Sequence, residues 1–237
     1  MSAAASWRDR LPASLRPYVE REPLAALMLG LSSGFPYAMI GATLTTRLAQ
    51  DGIDKKSVTA FSLAFLVYNF KFLWAPLVDG FRIPLLGRLG QRVSWLLLAG
   101  TLVMIAVAWL GMLDPSDDLM RVAMAAVAVG AAGATYDIVI DAYRIETLRP
   151  EQLGVGSGMS QYGWRIGSVA AGSLALYVAT LGDWSTAYLL CAAFALPAML
   201  TGLVLGEPAR HVVVAKYRGW RQAWQSVIGP LGEFFLR

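Results

Sequence analysis

"VSWLLLAGTLVMIAVAWLGML", residues 93–113, runs its whole length without an ionisable side chain. A helix that crosses the hydrocarbon of a bilayer needs roughly 20 mostly apolar residues. The stretch therefore reads as a transmembrane helix. Five further blocks match it in length and hydropathy: about 24–47, 58–79, 120–143, 155–181 and 185–206. Of the 237 residues, 57% are hydrophobic and 15% charged, against about 25% charge in an average soluble domain. These patterns predict an all-α membrane protein of six transmembrane helices. They divide the chain into an N-terminal segment at 1–22, a transmembrane bundle at 23–206 and a tail at 207–237. The first apolar block starts near Pro23 after a charged segment. It is too long for a signal-peptide core and is expected to be retained.

Lys and Arg placement sets the orientation, because they gather on the cytoplasmic side. The N-terminal segment carries Arg8, Arg10, Arg16 and Arg21; the loop after the second span Arg82, Arg88 and Arg92; the loop after the fourth Arg144 and Arg149. The tail carries Arg210, Lys216, Arg218, Arg221 and Arg237. The opposite loops are sparse or acidic, with Lys55 and Lys56 beside Asp51 and Asp54, then Asp114, Asp117 and Asp118, then Asp183. Both termini are expected in the cytoplasm. The net charge of +4 suits a face beside anionic lipid and calls for no nucleic acid. The single Cys191 lies inside the sixth span, so no disulfide framework or zinc site is available. No cofactor or metal is expected. His211, alone in the tail, reads as a solvated interfacial residue. Trp220, Trp224, Val227 and Leu231 share one face of the tail opposite basic residues, the pattern of a helix lying in the membrane plane.

The spans are not alike. The third and the core of the sixth carry no ionisable residue and suit lipid-facing positions. The other four hold polar groups: "GLSSGFPYAM", "VYNFKFLWAP", "ATYDIVIDAYR" and "GSGMSQYGWRIG". The order polar, polar, apolar occurs in spans one to three and again in four to six, consistent with two three-helix repeats. Asp137 lies thirteen residues before Pro150 and Arg165 fifteen after it. At 1.5 Å per residue both sit roughly 20 Å along their helices from that turn. Lys71 is eight residues inside the end of span two at Asp79. A charge layer of Lys71, Asp137 and Arg165 follows. Each charge left unpaired at the bilayer centre costs roughly 2.5–3.5 kcal/mol, so such residues pair or face a wet cavity. Gly130, Ala134, Asp137, Asp141 and Arg144 recur at three- and four-residue steps and share a stripe. Asp137 is the better candidate for a group that gains and loses a proton. Asp141 is close enough to Arg144 and the interface to be simply paired or hydrated.

Tyr37, Tyr68, Asn69, Gln161 and Tyr162 are polar groups at membrane depth. They either line a sugar or peptide pocket or hydrogen-bond between helices. Gly30, Gly34, Gly163 and Gly167 allow close helix packing. Pro36 is expected to bend the first span beside Ser33 and Tyr37. Trp74, Trp95, Trp109, Trp164 and Trp184 read as interfacial anchors.

"LGLSSGFPYAM", "NFKFLWAPLVD", "GRLGQRVSWLLLAG" and above all "ATYDIVIDAYRIE" resemble the N-terminal half of the AmpG-type muropeptide permeases. These belong to the major facilitator superfamily and are related to the acetyl-coenzyme A transporters. The resemblance runs over about residues 23–206. It implies one half of a major facilitator fold in a bacterial inner-membrane symporter. Such a carrier brings N-acetylglucosamine–anhydro-N-acetylmuramyl peptides from periplasm to cytoplasm, driven by protons, for cell-wall recycling and, in some bacteria, β-lactamase induction. It also implies that Asp79, the basic loop with Arg88, and Arg144 form a gate closing the cytoplasmic side. Tyr136 stands where the family's motif often has Gln. Members have twelve or more spans, so this chain resembles a half whose last residues fall in the linker between halves. A second six-helix half or a homodimer is the expected partner, and no enzymatic activity is expected. The resemblance leaves open a carrier of another anionic solute, such as acetyl-coenzyme A, or a non-transporting scaffold.

Overall fold

The computed structural model describes residues 11–81, 83 and 87–209. Arg8, Arg10, Arg82, His211 and the tail helix expected around Trp220–Leu231 lie outside the described residues. Among the described residues every regular element is helical. Five of the described helices are long and apolar enough to cross a membrane: α1 (Arg21–Gln50), α2 (Gln91–Met112), α3 (Leu119–Thr147), α4 (Pro150–Leu181) and α5 (Trp184–Leu205).

The block at 58–79 departs from the expected single span. It is a succession of helical pieces: Lys55–Ala60, Phe61–Phe65, Leu66–Asn69, Lys71–Leu73 and Ala75–Gly80. The backbone leaves the α-helical basin at Phe70 (φ −92°, ψ 4°), and the helix is interrupted again at Trp74 (φ −111°, ψ −3°). Pro76 explains the second break, since it has no N–H for the carbonyl four residues back. This segmented stretch packs along α3 and meets α1 near Met39–Thr43. The bend expected at Pro36 falls just after it, where α1 opens into a π turn at Met39–Thr43 with Gly41 at φ −90°, ψ −112°.

Helix α1 touches α3, α4 and α5, and α2 packs against α3 and α5. The closest approach is between α1 and α4. An atom added as a side chain at Gly30 or Gly34 would overlap the carbonyl of Ser160 or Trp164, and at Gly163 or Gly167 the carbonyl of Leu27 or Leu31. Missing side chains let the backbones meet.

Among the described residues three tyrosines are wholly buried, and each donates its hydroxyl to a main-chain carbonyl across a helix boundary. Tyr136 reaches Ala195 at 2.7 Å, in the 3₁₀ turn before Pro197. Tyr143 reaches Gly206 at 2.6 Å, at the end of α5. Tyr188 reaches Met39 at 3.2 Å, in the π turn. Irregular helix leaves carbonyls without their usual donors, and buried polar groups need partners. Tyr136 thus ties α3 to α5.

Buried Arg47 serves the same need at the opposite end. Its guanidinium donates to the carbonyls of Leu110 (3.1 Å), Gly111 (3.4 Å) and Leu113, closing the C-terminus of α2. The acidic residues of the sparse loops cap helices. Asp118 accepts from the Arg121 N–H at 3.0 Å and Asp183 from that of Thr186 at 2.7 Å. The Thr186 bonds hold the Asp183 carboxyl below its ordinary pKa. The cap is therefore formed at neutral pH and lost as acid protonates the carboxylate.

Of the two charge-free spans, the sixth (α5) is more exposed than α1, α2 and α3, whereas the third (α2) is not set apart. Helix α1 is the most buried of the five, α4 the least, and α2 is no more exposed than α3. From Leu153 to Leu181, α4 buries only a stripe of small residues, Gly156, Ser160, Gly163, Gly167, Ala171 and Ala175. Its other faces stand open.

Candidate functional site

Helix α3 carries the carboxylates of the site on an unbroken rod of 29 residues. Asp137 accepts a hydrogen bond from the Ser33 hydroxyl on α1 through one oxygen. Its other oxygen pairs with the Lys71 ammonium of the segmented stretch. One turn on, Asp141 pairs with Arg144 at 3.0 Å and stands 3.9 Å from Lys71. A cation thus lies between two carboxylates, near enough to the second to transfer to it. The Tyr68 hydroxyl packs over Gly133, one turn before Asp137, where a side chain would overlap it. That hydroxyl is buried with no hydrogen-bond partner among the described residues.

Arg165 does not join the pair. It is exposed on α4 and makes no ion pair among the described residues. The reason lies in the glycine stripe. Gly163 and Gly167 face α1, and Arg165, two residues from each, points about 200° away at 100° per residue. Its height is nevertheless as expected. Ser33 binds Asp137, and the neighbouring Gly34 abuts Trp164, the residue before Arg165. Lys71 and Asp137 therefore meet at the level of Arg165, which looks outward.

Of the other candidates, Asn69, Gln161 and Tyr162 are exposed. Tyr37 is 42% exposed and sits in an aromatic cluster. Its ring centroid is 4.5 Å from Phe65, 5.7 Å from Trp164 and 6.0 Å from Tyr68. Trp164 is thus part of a mid-helix cluster, and Trp74 donates to the Thr135 hydroxyl at 3.1 Å. Neither needs an interfacial role to explain it. Tyr136, buried against α5, is turned away from this group.

A second ionic cluster lies at the other end of the segmented stretch. Asp79 pairs with Arg92 at 2.6 Å, and Arg92 binds Glu146 through Nη2 at 2.6 Å and Nε at 3.0 Å. Arg92 is 3% exposed and Glu146 5%. The Glu207 carboxylate accepts the main-chain N–H groups of Gln91, Arg92 and Val93 and so closes the start of α2. The expected set of Asp79, Arg88 and Arg144 is therefore not assembled. Arg88 is exposed, and Arg144 belongs to Asp141. Sequence reading missed Glu146 because it lies nine residues after Asp137, about 180° around α3 and off the acidic stripe. Arg92→Ala is expected to cost about 3–5 kcal/mol, because it strands the buried Glu146 carboxylate. Arg92→Ala with Glu146→Gln should recover part of that loss. Thermal melts in detergent would compare the two.

The sequence model described as the Major Facilitator Superfamily matches residues 23–236. Over 225 residues the chain is 36% identical to the anhydromuropeptide permease of Escherichia coli (strain K12), covering 94% of this chain and 44% of that protein. Over 215 residues it is 33% identical to a Rickettsia felis protein named AmpG 4, covering 89% and 51%. The chain spans about half the length of the curated relatives it matches.

Proposed function

The chain belongs to the Major Facilitator Superfamily, its relatives there are of the AmpG type, and on that premise we propose that it forms the N-terminal six-helix half of a proton-driven importer of anhydro-muropeptides. The segmented stretch between Lys55 and Gly80 is the second of six spans in two three-helix repeats. The assembly sits in the bacterial inner membrane, with both ends of this chain in the cytoplasm. The open, polar side of α4 with Gln161, Tyr162 and Arg165 supports a second six-helix half, or a second copy, facing it across a shared cavity.

The observation that carries this reading is the pairing of Lys71 with Asp137 beside Asp141. Protonation of Asp137 releases Lys71, which moves to Asp141 or to an anionic group of the solute. Binding and protonation together favour rocking of one half against the other. Tyr37, Asn69, Gln161 and Tyr162 contact the solute, and Tyr68 supports Tyr37 from behind. The Asp79–Arg92–Glu146 cluster holds the cytoplasmic side shut in one state and parts in the other. Arg144 contributes through Asp141.

The test is uptake of labelled anhydro-muropeptide into vesicles containing the chain with its partner half. Uptake should follow an inward proton gradient and stop when a protonophore collapses it. Uptake indifferent to the gradient removes proton coupling. Competition by acetyl-coenzyme A without competition by muropeptide moves the substrate to another anion. Absence of any solute movement leaves a scaffold.

A further inference from the structure

We infer that Tyr37 and Trp164 form a stacking platform for a sugar ring, with Arg165 beside it as the anchor for an acidic group on the same solute. The inference deepens the reading of the chain as half of a muropeptide carrier and rests on it. Four aromatic rings from three elements meet here. Tyr37 of α1 lies between Phe65 of the segmented stretch and Trp164 of α4, with Tyr68 edge-on behind it at 77°. Phe65 and Tyr68 pack against the buried core and form the backing. Tyr37 keeps 42% of its surface open and Trp164 is half-buried.

Packing alone does not account for this. A purely structural aromatic junction would be closed, as Tyr136, Tyr143 and Tyr188 are. An interfacial anchor does not account for it either. Trp164 lies near the middle of the 32-residue α4, more than about 20 Å from either end at 1.5 Å per residue. The open rings stand at the level of the Lys71–Asp137 pair, since Gly34 abuts Trp164 and Ser33 binds Asp137.

The chemistry around the rings fits an amino-sugar ring joined to an acidic peptide. The C–H face of a pyranose is apolar and lies flat on an aromatic face. Its hydroxyl and acetamido groups need polar partners, and exposed Gln161, three residues before Trp164 on the same side of α4, supplies one. Arg165 follows Trp164 on the open side of α4, 100° further round the helix, and a guanidinium fork matches a carboxylate in a bidentate pair.

The experiment uses the complete assembly and labelled anhydro-muropeptide uptake, with two competitors: the disaccharide without peptide, and the peptide without sugar. Trp164→Leu keeps apolar bulk and removes the ring; Trp164→Phe keeps a ring. Trp164→Leu should weaken inhibition by the disaccharide about tenfold, in the range of ring-stacking losses, and leave the peptide competitor within about twofold. Trp164→Phe should restore most of the loss. Arg165→Gln should show the reverse preference. Unchanged disaccharide inhibition in Trp164→Leu, with uptake intact in the wild type, overturns the platform and leaves the carrier reading standing. No muropeptide uptake by the wild-type assembly overturns both.

Discussion

Gly34→Leu should leave little folded protein in the membrane. Any carbon added at Gly34 falls on the Trp164 carbonyl oxygen, and the same holds at Gly30, Gly163 and Gly167 against Ser160, Leu27 and Leu31. The obstruction at each position is main chain, which cannot rotate aside as a side-chain tip can. The helices must separate along their length, and the tight α1–α4 contact is lost. Overpacking commonly costs 1–3 kcal/mol and more when backbone must shift, so a loss of about 4 kcal/mol is expected for Leu. Gly34→Ala is the sharper version. On an unencumbered helix Gly→Ala stabilises by about 1 kcal/mol, yet here it should destabilise. Gly172 supplies the contrast, as nothing lies within 4 Å of a side chain there. Gly172→Ala should melt at or above the wild-type temperature. Equal melting of Gly34→Ala and Gly172→Ala would mean that α1 and α4 do not meet as described.

Asp137→Asn should cut proton-driven uptake by at least about a hundredfold, in line with the loss of a group that acts in proton transfer, while the protein still folds. Survival of the fold follows from the geometry. Lys71 loses its partner, and an unpaired cation at this depth costs roughly 2.5–3.5 kcal/mol. Asp141, 3.9 Å away, can receive it, so most of that cost is avoided. The Asn side chain also keeps an acceptor for Ser33. What Asn cannot do is bind and release a proton. Uptake by the variant should therefore be weak and independent of pH, whereas Asp141→Asn should keep its pH dependence at a reduced rate. Initial rates at two external pH values separate the cases. Normal gradient-driven uptake by Asp137→Asn would assign the proton to another group.

Much of this arrangement was legible in the sequence. Runs of twenty apolar residues have few alternatives to membrane helices, and opposite charges within them must find each other, so Lys71 and Asp137 could be paired on paper. The breaks in the second block were not legible. Hydropathy reports side-chain transfer and is silent about a backbone leaving the α basin at Phe70. Arg165 was placed at the right height and on the wrong side. The glycine stripe on α4 carried the missing information, because two glycines facing α1 turn the residue between them away. Arg92 and Glu146 were hidden for another reason. A loop with several arginines does not say which one turns inward, and Glu146 lies off the stripe that drew attention to Asp137.

The fit of α1 against α4 also governs which parts can move. Carbonyls seated in notches on both helices block sliding, so the two travel as one strut. Internal adjustment falls instead to the jointed run of short helices bearing Lys71, whose main-chain amides should exchange with heavy water sooner than those of α3. Release of its ammonium from Asp137 would unlatch a hinge from a beam.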